Sequence, residues 1–339
     1  MMSNLTLDDI AKIAGVSRAT VSRVVNNQSN VSDRMRQRVQ KIIDETGFQP
    51  NLVARSLVSK QTKLLGLVIP NNIHGFFADP YYSRLVEGIS QACNFFDYTL
   101  SLFVFQTEDD QRKIFPRLTQ GRFVDGIIVQ ATGLGDELIP DISEWKIPYV
   151  FVGRPLLETE VSYLDVDNVS GAYQAVIHLL QLGYHKIGTV AGALNTSVGL
   201  DRLEGYHQAL ADRGLEIDNN LITEGDFTEI SAYGAAKQLL KHQPDAIFVA
   251  SDTMALGVLR AITEENLVVP NDIALVGYDD LPPAMLANPQ LTTIRQPIRR
   301  FGYKAVETLL DIIQNGSQPL RRVIFDTELI IRKSCGSQP

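Results

Sequence analysis

From residue 64 onward the chain repeats one rhythm: a short apolar run, then a longer stretch with helical periodicity. The runs are Leu64–Pro70, Thr99–Phe105, Val124–Gln130, Ile147–Gly153, Lys186–Gly192, Asp245–Ser251 and Ile273–Asp280. Several are apolar at successive positions, as a strand covered on both faces must be. Between them, Leu85, Ile89, Ala92 and Phe96 form one helical stripe. Ala172, Val176, Leu179 and Leu180 form a second, and Phe301, Ala305, Leu309 and Ile312 a third. Such alternation builds right-handed βαβ units, and from them doubly wound parallel sheets. Seven or more strands over so long a stretch predict two lobes. Ligands of these sheets sit at the carboxyl ends of the strands, so the polar residues that close the runs matter most.

The first 60 residues follow a different pattern. Thr6-Leu7-Asp8-Asp9 is a capping box, with Ile10, Ile13 and Ala14 as the apolar stripe of a first helix. Gly15 breaks that helix. Ser17 can cap a second one, whose inner face is Val21, Val24 and Val25 and whose outer face is Arg18, Thr20, Ser22 and Arg23. A third follows Ser32, with Met35, Val39, Ile42 and Ile43 on one side and Gly47 at its end. Nine basic and five acidic side chains make this segment +4, on a chain that is −8 overall. A basic head on an acidic body suggests that the head meets a polyanion. Two helices joined by a tight turn fit a helix-turn-helix that reads the major groove. They also fit a plain three-helix bundle with solvated arginines. The segment Pro50–Lys60 then offers a helix of about two turns, which is marginal alone in water and needs a partner or a ligand.

The block Thr6-Leu-Asp-Asp-Ile-Ala-Lys-Ile-Ala-Gly-Val-Ser-Arg-Ala-Thr-Val-Ser-Arg-Val-Val-Asn26, then Val31-Ser32, then Pro50-Asn51-Leu-Val-Ala-Arg-Ser-Leu57, resembles the LacI/GalR family of bacterial transcription regulators. The resemblance continues through Gly183–Gly188, Asp201–Tyr206, Ser251–Gly257, Val276–Asp280 and Leu291–Pro297. It implies an all-α helix-turn-helix head over 1–61, with a hinge helix at about 51–59, and an α/β body of two lobes like a periplasmic binding protein. The first lobe would comprise 62–163 and 295–322, the second 164–294 and 323–339, with crossings near 163, 294 and 323. The implied DNA contacts are Thr6, Ser17, Arg18, Ala19, Thr20, Ser22, Arg23, Asn26 and Asn30 in the head. In the hinge they are Asn51, Ala54 and Leu57. Leu57 would wedge between base steps at the centre of a palindromic operator bound by a homodimer. The implied effector contacts in the interlobe cleft are Tyr81, Tyr82, Arg154, Arg202, Phe227, Ser251 and Asp279. Carboxylate and guanidinium groups around an aromatic face suit a sugar. Gly153-Arg154-Pro155 and Tyr163–Asn168 look most like members that answer to maltose or another α-glucoside.

Other classes fit less well. There is no dinucleotide fingerprint, P-loop or nucleophile elbow, and the five histidines lack metal-ligand spacing, so an enzyme is not expected. No cofactor or metal is expected, since Cys93 and Cys335 form no metal or disulfide pattern. Asp8 and Asp9 stand where a secretory signal would be basic and apolar, which argues against an exported sugar-binding protein. No run reaches the ~18 apolar residues of a membrane span. The chain is expected to be cytoplasmic and, without a leucine heptad, dimeric rather than tetrameric. A co-repressed regulator answering to a non-sugar metabolite such as a purine is the alternative.

Overall fold

The structure is a computed structural model that describes residues 5–25, 29–48, 61–69, 73–105, 107–120, 123–131, 133, 145–156 and 160–337. The expected hinge helix with Asn51, Ala54 and Leu57 lies outside the described residues, as does Asn26. The chain divides into two compact units, residues 1–63 and 64–339.

The head consists of α1 (Leu7–Ala14), α2 (Arg18–Val25) and α3 (Asp33–Thr46). Thr6 accepts from the Asp9 N–H and Asp9 reaches back to the Thr6 N–H, completing the capping box. Gly15 takes φ +62, a left-handed conformation that closes the turn into α2. Ser17 Oγ accepts from the Thr20 N–H at 3.2 Å. Ile10, Val21 and Val39 are fully buried between the three helices. Each such side chain contributes about 1.5–3 kcal/mol. Two positions on the expected apolar stripes, Ile13 and Met35, are exposed instead.

The body runs β1 (Leu64–Ile69), α4 (Ile73–Ala78), α5 (Pro80–Phe95), β2 (Thr99–Val104), α6 (Glu108–Gln120), β3 (Gly126–Gln130), β4 (Tyr149–Val152) and β5 (Tyr163–Val166). Then follow α7 (Asn168–Gln181), β6 (Ile187–Ala191), α8 (Ser197–Asp212), β7 (Ile222–Glu224), α9 (Glu229–Leu239), β8 (Ala246–Val249), α10 (Asp252–Glu264) and β9 (Ala274–Asp279). Last come α11 (Pro282–Leu286), β10 (Thr292–Arg295), α12 (Ile298–Asn315), β11 (Arg322–Phe325) and β12 (Glu328–Ile330). One sheet has the order β11-β5-β4-β3-β1-β2 and is parallel throughout. The other has the order β12-β10-β9-β8-β6-β7, parallel except for β12, which runs antiparallel to β10. The two doubly wound lobes and helical head are therefore as expected.

The crossings fall a few residues later than expected. Tyr163 pairs with Phe151 and Arg322, which places β5 and β11 in the first sheet. The chain leaves that sheet at Asp167, whose carboxylate caps α7. It returns at Gln296-Pro297 and crosses for the last time at Asp326-Thr327. Residues 164–166 and 323–325 thus belong with the first lobe. Register decides this, because a strand joins the sheet that satisfies its backbone groups. The three expected helical stripes all face cores: Leu85, Ile89, Leu309 and Ile312 lie in the first lobe, Ala172, Val176 and Leu179 in the second.

Candidate functional site

Strand ends from both sheets converge at the cleft. Asp279 is the last residue of β9, and Ala250 and Ser251 follow β8. Arg154 follows β4 and Asp165 lies within β5. Arg202 projects from α8 and is 4% exposed. Its Nε donates to Asn168 Oδ1 at 3.0 Å, and its Nη1 donates to the Ala250 carbonyl and to Asp279 Oδ1 at 3.3 Å. The guanidinium lies 3.6 Å from the centre of the Tyr278 ring. Gln296 donates to Asp279 Oδ1 at 2.5 Å. Arg202 and Asp279 are thus brought together as an internal ion pair.

The rest of the cleft is acidic. Asp165 accepts from the N–H groups of Arg154 and Val166 and from Asn168 Nδ2. Burial nonetheless pushes its carboxyl up to about 6. Burial pushes Asp279 up to about 7, against the pull of Arg202. Asp252 is raised well above the usual range by burial and by Asp279. It accepts from Thr293 Oγ1 at 2.7 Å and from the Leu281 N–H at 2.8 Å, so its role is to fix the start of α10. Asp79 caps α5 through the Tyr81 N–H, and burial raises it too, with Arg202 opposing.

The aromatic candidates separate. Burial raises the Tyr81 hydroxyl well above 10, Tyr82, Asp165 and Asp279 add to the effect, and Arg202 opposes it. Tyr81 therefore shares the field of the cleft charges. Tyr82 packs beside it, against Tyr81 at 5.4 Å and Phe76 at 5.3 Å between ring centres. Phe227 lies over the end of β6, where a Cβ on Gly192 would overlap its ring. It holds φ +66, uncommon for an aromatic residue.

Two candidates are engaged otherwise than expected. Ser251 is 2% exposed and caps α10, accepting from the Met254 N–H at 3.2 Å. Arg154 does not offer a free guanidinium: its Nη2 lies 2.6 and 2.7 Å from the two Asp201 oxygens.

In the head, Ser17, Arg18, Ala19, Arg23 and Asn30 are exposed, and Thr20 and Ser22 are half-buried. Arg18 Nε lies 3.8 Å from Asp8 Oδ2, an exposed pair worth at most about 1 kcal/mol and easily exchanged for phosphate. Thr6 donates to Asp9 Oδ2 at 2.7 Å, so its side chain is occupied in the cap.

Comparison with known proteins decides the family. Residues 6–51 match the model for bacterial regulatory proteins of the lacI family, and residues 176–335 match a periplasmic binding protein-like domain. The HTH-type transcriptional regulator CelR of Thermobifida fusca is 37% identical over 97% of this chain and 98% of its own length. The chain belongs to the LacI family. This LacI-family protein is a DNA-binding transcription regulator under allosteric control by a small molecule, and such regulators are not enzymes. Among solved structures, the CelR–cellobiose complex matches with a TM-score of 0.78 at 35% identity, covering 97% of this chain and 99% of the other. The lac repressor dimer bound to operator and the anti-inducer ONPF matches with a TM-score of 0.85 at 30% identity, covering 99% and 100%.

Sequence reading of this LacI-family chain missed Asp79, Asp165, Asn168, Asp201 and Gln296. A signal for Asp165 was present: it is a carboxylate inside the apolar run Tyr163-Leu164-Asp165-Val166. Among the described residues no cluster of His, Cys, Asp or Glu could hold a metal ion, and no helix is long and apolar enough to cross a membrane.

Proposed function

We propose that this protein is a dimeric repressor of a palindromic operator, released by a neutral, hydroxyl-rich effector held between the lobes. The carrying observation is the saturation of Arg202. Its guanidinium is already matched by Asp279, Asn168, Ala250 and the Tyr278 face. Around it stand Asp79 and Asp165, and Arg154 is neutralised by Asp201. A phosphorylated or carboxylated ligand would meet mostly negative charge there. A sugar can donate hydroxyls to the carboxylates and pack its C–H faces on Tyr81 and Phe227. The sequence blocks around Arg154 favour maltose or another α-glucoside. The cellobiose complex of the CelR relative makes a β-linked glucose disaccharide the rival.

For the head, the exposed row Ser17, Arg18, Ala19 and Arg23 supports base and phosphate contact in the major groove. Leu57 is assigned the minor-groove wedge, with Asn51 and Ala54 beside it. The dimer is supported by the dimeric lac repressor at 30% identity. The protein acts in the cytoplasm, where operator DNA and effector meet.

The test is selection from random duplex DNA at one fixed moderate salt, since phosphate contacts make affinity salt-dependent. It is run alone and with maltose, cellobiose or hypoxanthine. A palindrome lost only with one sugar supports the reading and names the effector. A palindrome in all four arms removes these effectors and keeps the regulator. Enrichment only with hypoxanthine makes the protein a purine-co-repressed regulator. No palindrome in any arm removes the operator reading.

A further inference from the structure

Arg154 belongs to the first lobe and Asp201 to the first turns of α8 in the second. One guanidinium nitrogen, Nη2, reaches both Asp201 oxygens, at 2.6 and 2.7 Å, with the side chains 36% and 22% exposed. The same two elements share another contact, as Ser197 Oγ donates to the Arg154 carbonyl. On its own lobe Arg154 is pinned from behind, its N–H donating to Asp165 Oδ2 at 2.9 Å. Close by, a Cβ on Gly133 of the first lobe would lie 2.7 Å from Asn195 Nδ2 of the second. The lobes therefore touch here directly, through backbone and charge.

We propose that Arg154, Asp201 and Ser197 form an interlobe latch, which holds the two lobes together on this side of the cleft and must yield before the cleft can exchange its contents. The short charge-assisted contacts to Asp201 and the Ser197 bond to the Arg154 carbonyl tie the same two elements at two points, so together they favour one lobe angle over a range. Its partial exposure keeps it reversible, because water and salt compete for both partners. Arg154 is then a positioning residue that sets how much of the population is closed. An effector that needs the open form to enter binds more weakly as the latch strengthens. The latch holds whether the effector is a sugar or not.

The experiment measures lobe separation without any effector. Cys93 and Cys335 are buried, so spin labels attach selectively to Gln91→Cys on α5 and Gln208→Cys on α8, both exposed. Full-length labelled protein is diluted with unlabelled protein, and pulsed dipolar distances are recorded. The wild type is expected to show one dominant short distance. Arg154→Met and Asp201→Asn are each expected to move half or more of the population to a longer distance. The reversed pair Arg154→Asp with Asp201→Arg is expected to restore the short one. Unchanged distributions in the single variants overturn the latch. So does a reversed pair as open as either single variant, which would mean that the side chains matter for local packing only.

Discussion

Arg202 stacks on Tyr278 at 3.6 Å, and Asp279, the next residue of the same strand, accepts from the same guanidinium. One strand end thus provides both the face and the charge that hold the arginine. Arg202→Met would leave the Asn168 and Ala250 oxygens without their donor, at about 1–3 kcal/mol for each buried group. Asp279 would escape by taking a proton. Arg202→Lys keeps the charge but not the planar fork, and should weaken effector binding at least tenfold, about 1.4 kcal/mol. Urea unfolding and calorimetric titration check the two effects separately.

Stability should fall as pH rises through the range where the cleft carboxyls ionise. Asp165 and Asp279 have ordinary values near 3.8 but stand at about 6 and about 7 in the fold. The folded state therefore binds more protons than the unfolded state between about pH 4 and 7. Their contribution is lost progressively across that window and is flat above it. Asp165→Asn should remove the part between about pH 4 and 6. The difference between the urea midpoints of wild type and variant, followed against pH, isolates this term. A parallel pair of curves would contradict it.

Gly192→Ala should act on the cleft through Phe227, because the new Cβ would overlap that ring. Phe227 already sits at positive φ and has little freedom to move aside. Effector affinity should drop about tenfold. Wild-type affinity in a calorimetric titration would mean that Phe227 does not line the site.

Thr6→Ala removes the side-chain half of the capping box, leaving only the bond from the residue 6 N–H to Asp9, and should cost the head about 1 kcal/mol. Operator affinity should fall alike for all sequences. Arg18→Ala should instead relax base preference at one position of each half-site. Binding of a panel of single-base operator variants by both proteins distinguishes the effects.

Ile230 and Leu286 are more than four-fifths exposed, and Met285 is half exposed. They lie on α9 and α11, which both pack against α10. Leu286→Lys should shift the protein towards monomer in sedimentation velocity and weaken palindrome binding with it. An unchanged sedimentation coefficient would place the dimer contact elsewhere.

Long-range order in the fold was legible because β1, β3, β8 and β9 are apolar enough to announce burial on both faces. β5 and β10 were harder: Tyr163-Leu-Asp-Val and Thr292-Thr-Ile-Arg carry polar groups that only their neighbours explain. The crossings slipped for the same reason, since register rather than composition assigns a four-residue strand to a sheet. In the cleft, Arg202 and Asp279 stood in recognisable blocks. The diversion of Arg154 to Asp201 spans 47 residues, and the capping role of Ser251 depends on where α10 begins. Neither can be read from spacing, because both depend on how close the elements come in space.

Asp326 and Thr327 separate β11 from β12, and each of these strands is the outer edge of a different sheet. On the ribosome, then, β1 to β10 all emerge before either sheet can be completed, and one short stretch finishes both. The basic head leaves the exit tunnel long before. A translation product cut short anywhere upstream of β11 would carry a head without a completed body, its two sheets unfinished together and their edges open to proteases. The interleaving of the lobes thus ties removal of incomplete chains to the loss of a single segment, and it forbids transplanting one lobe by a simple splice.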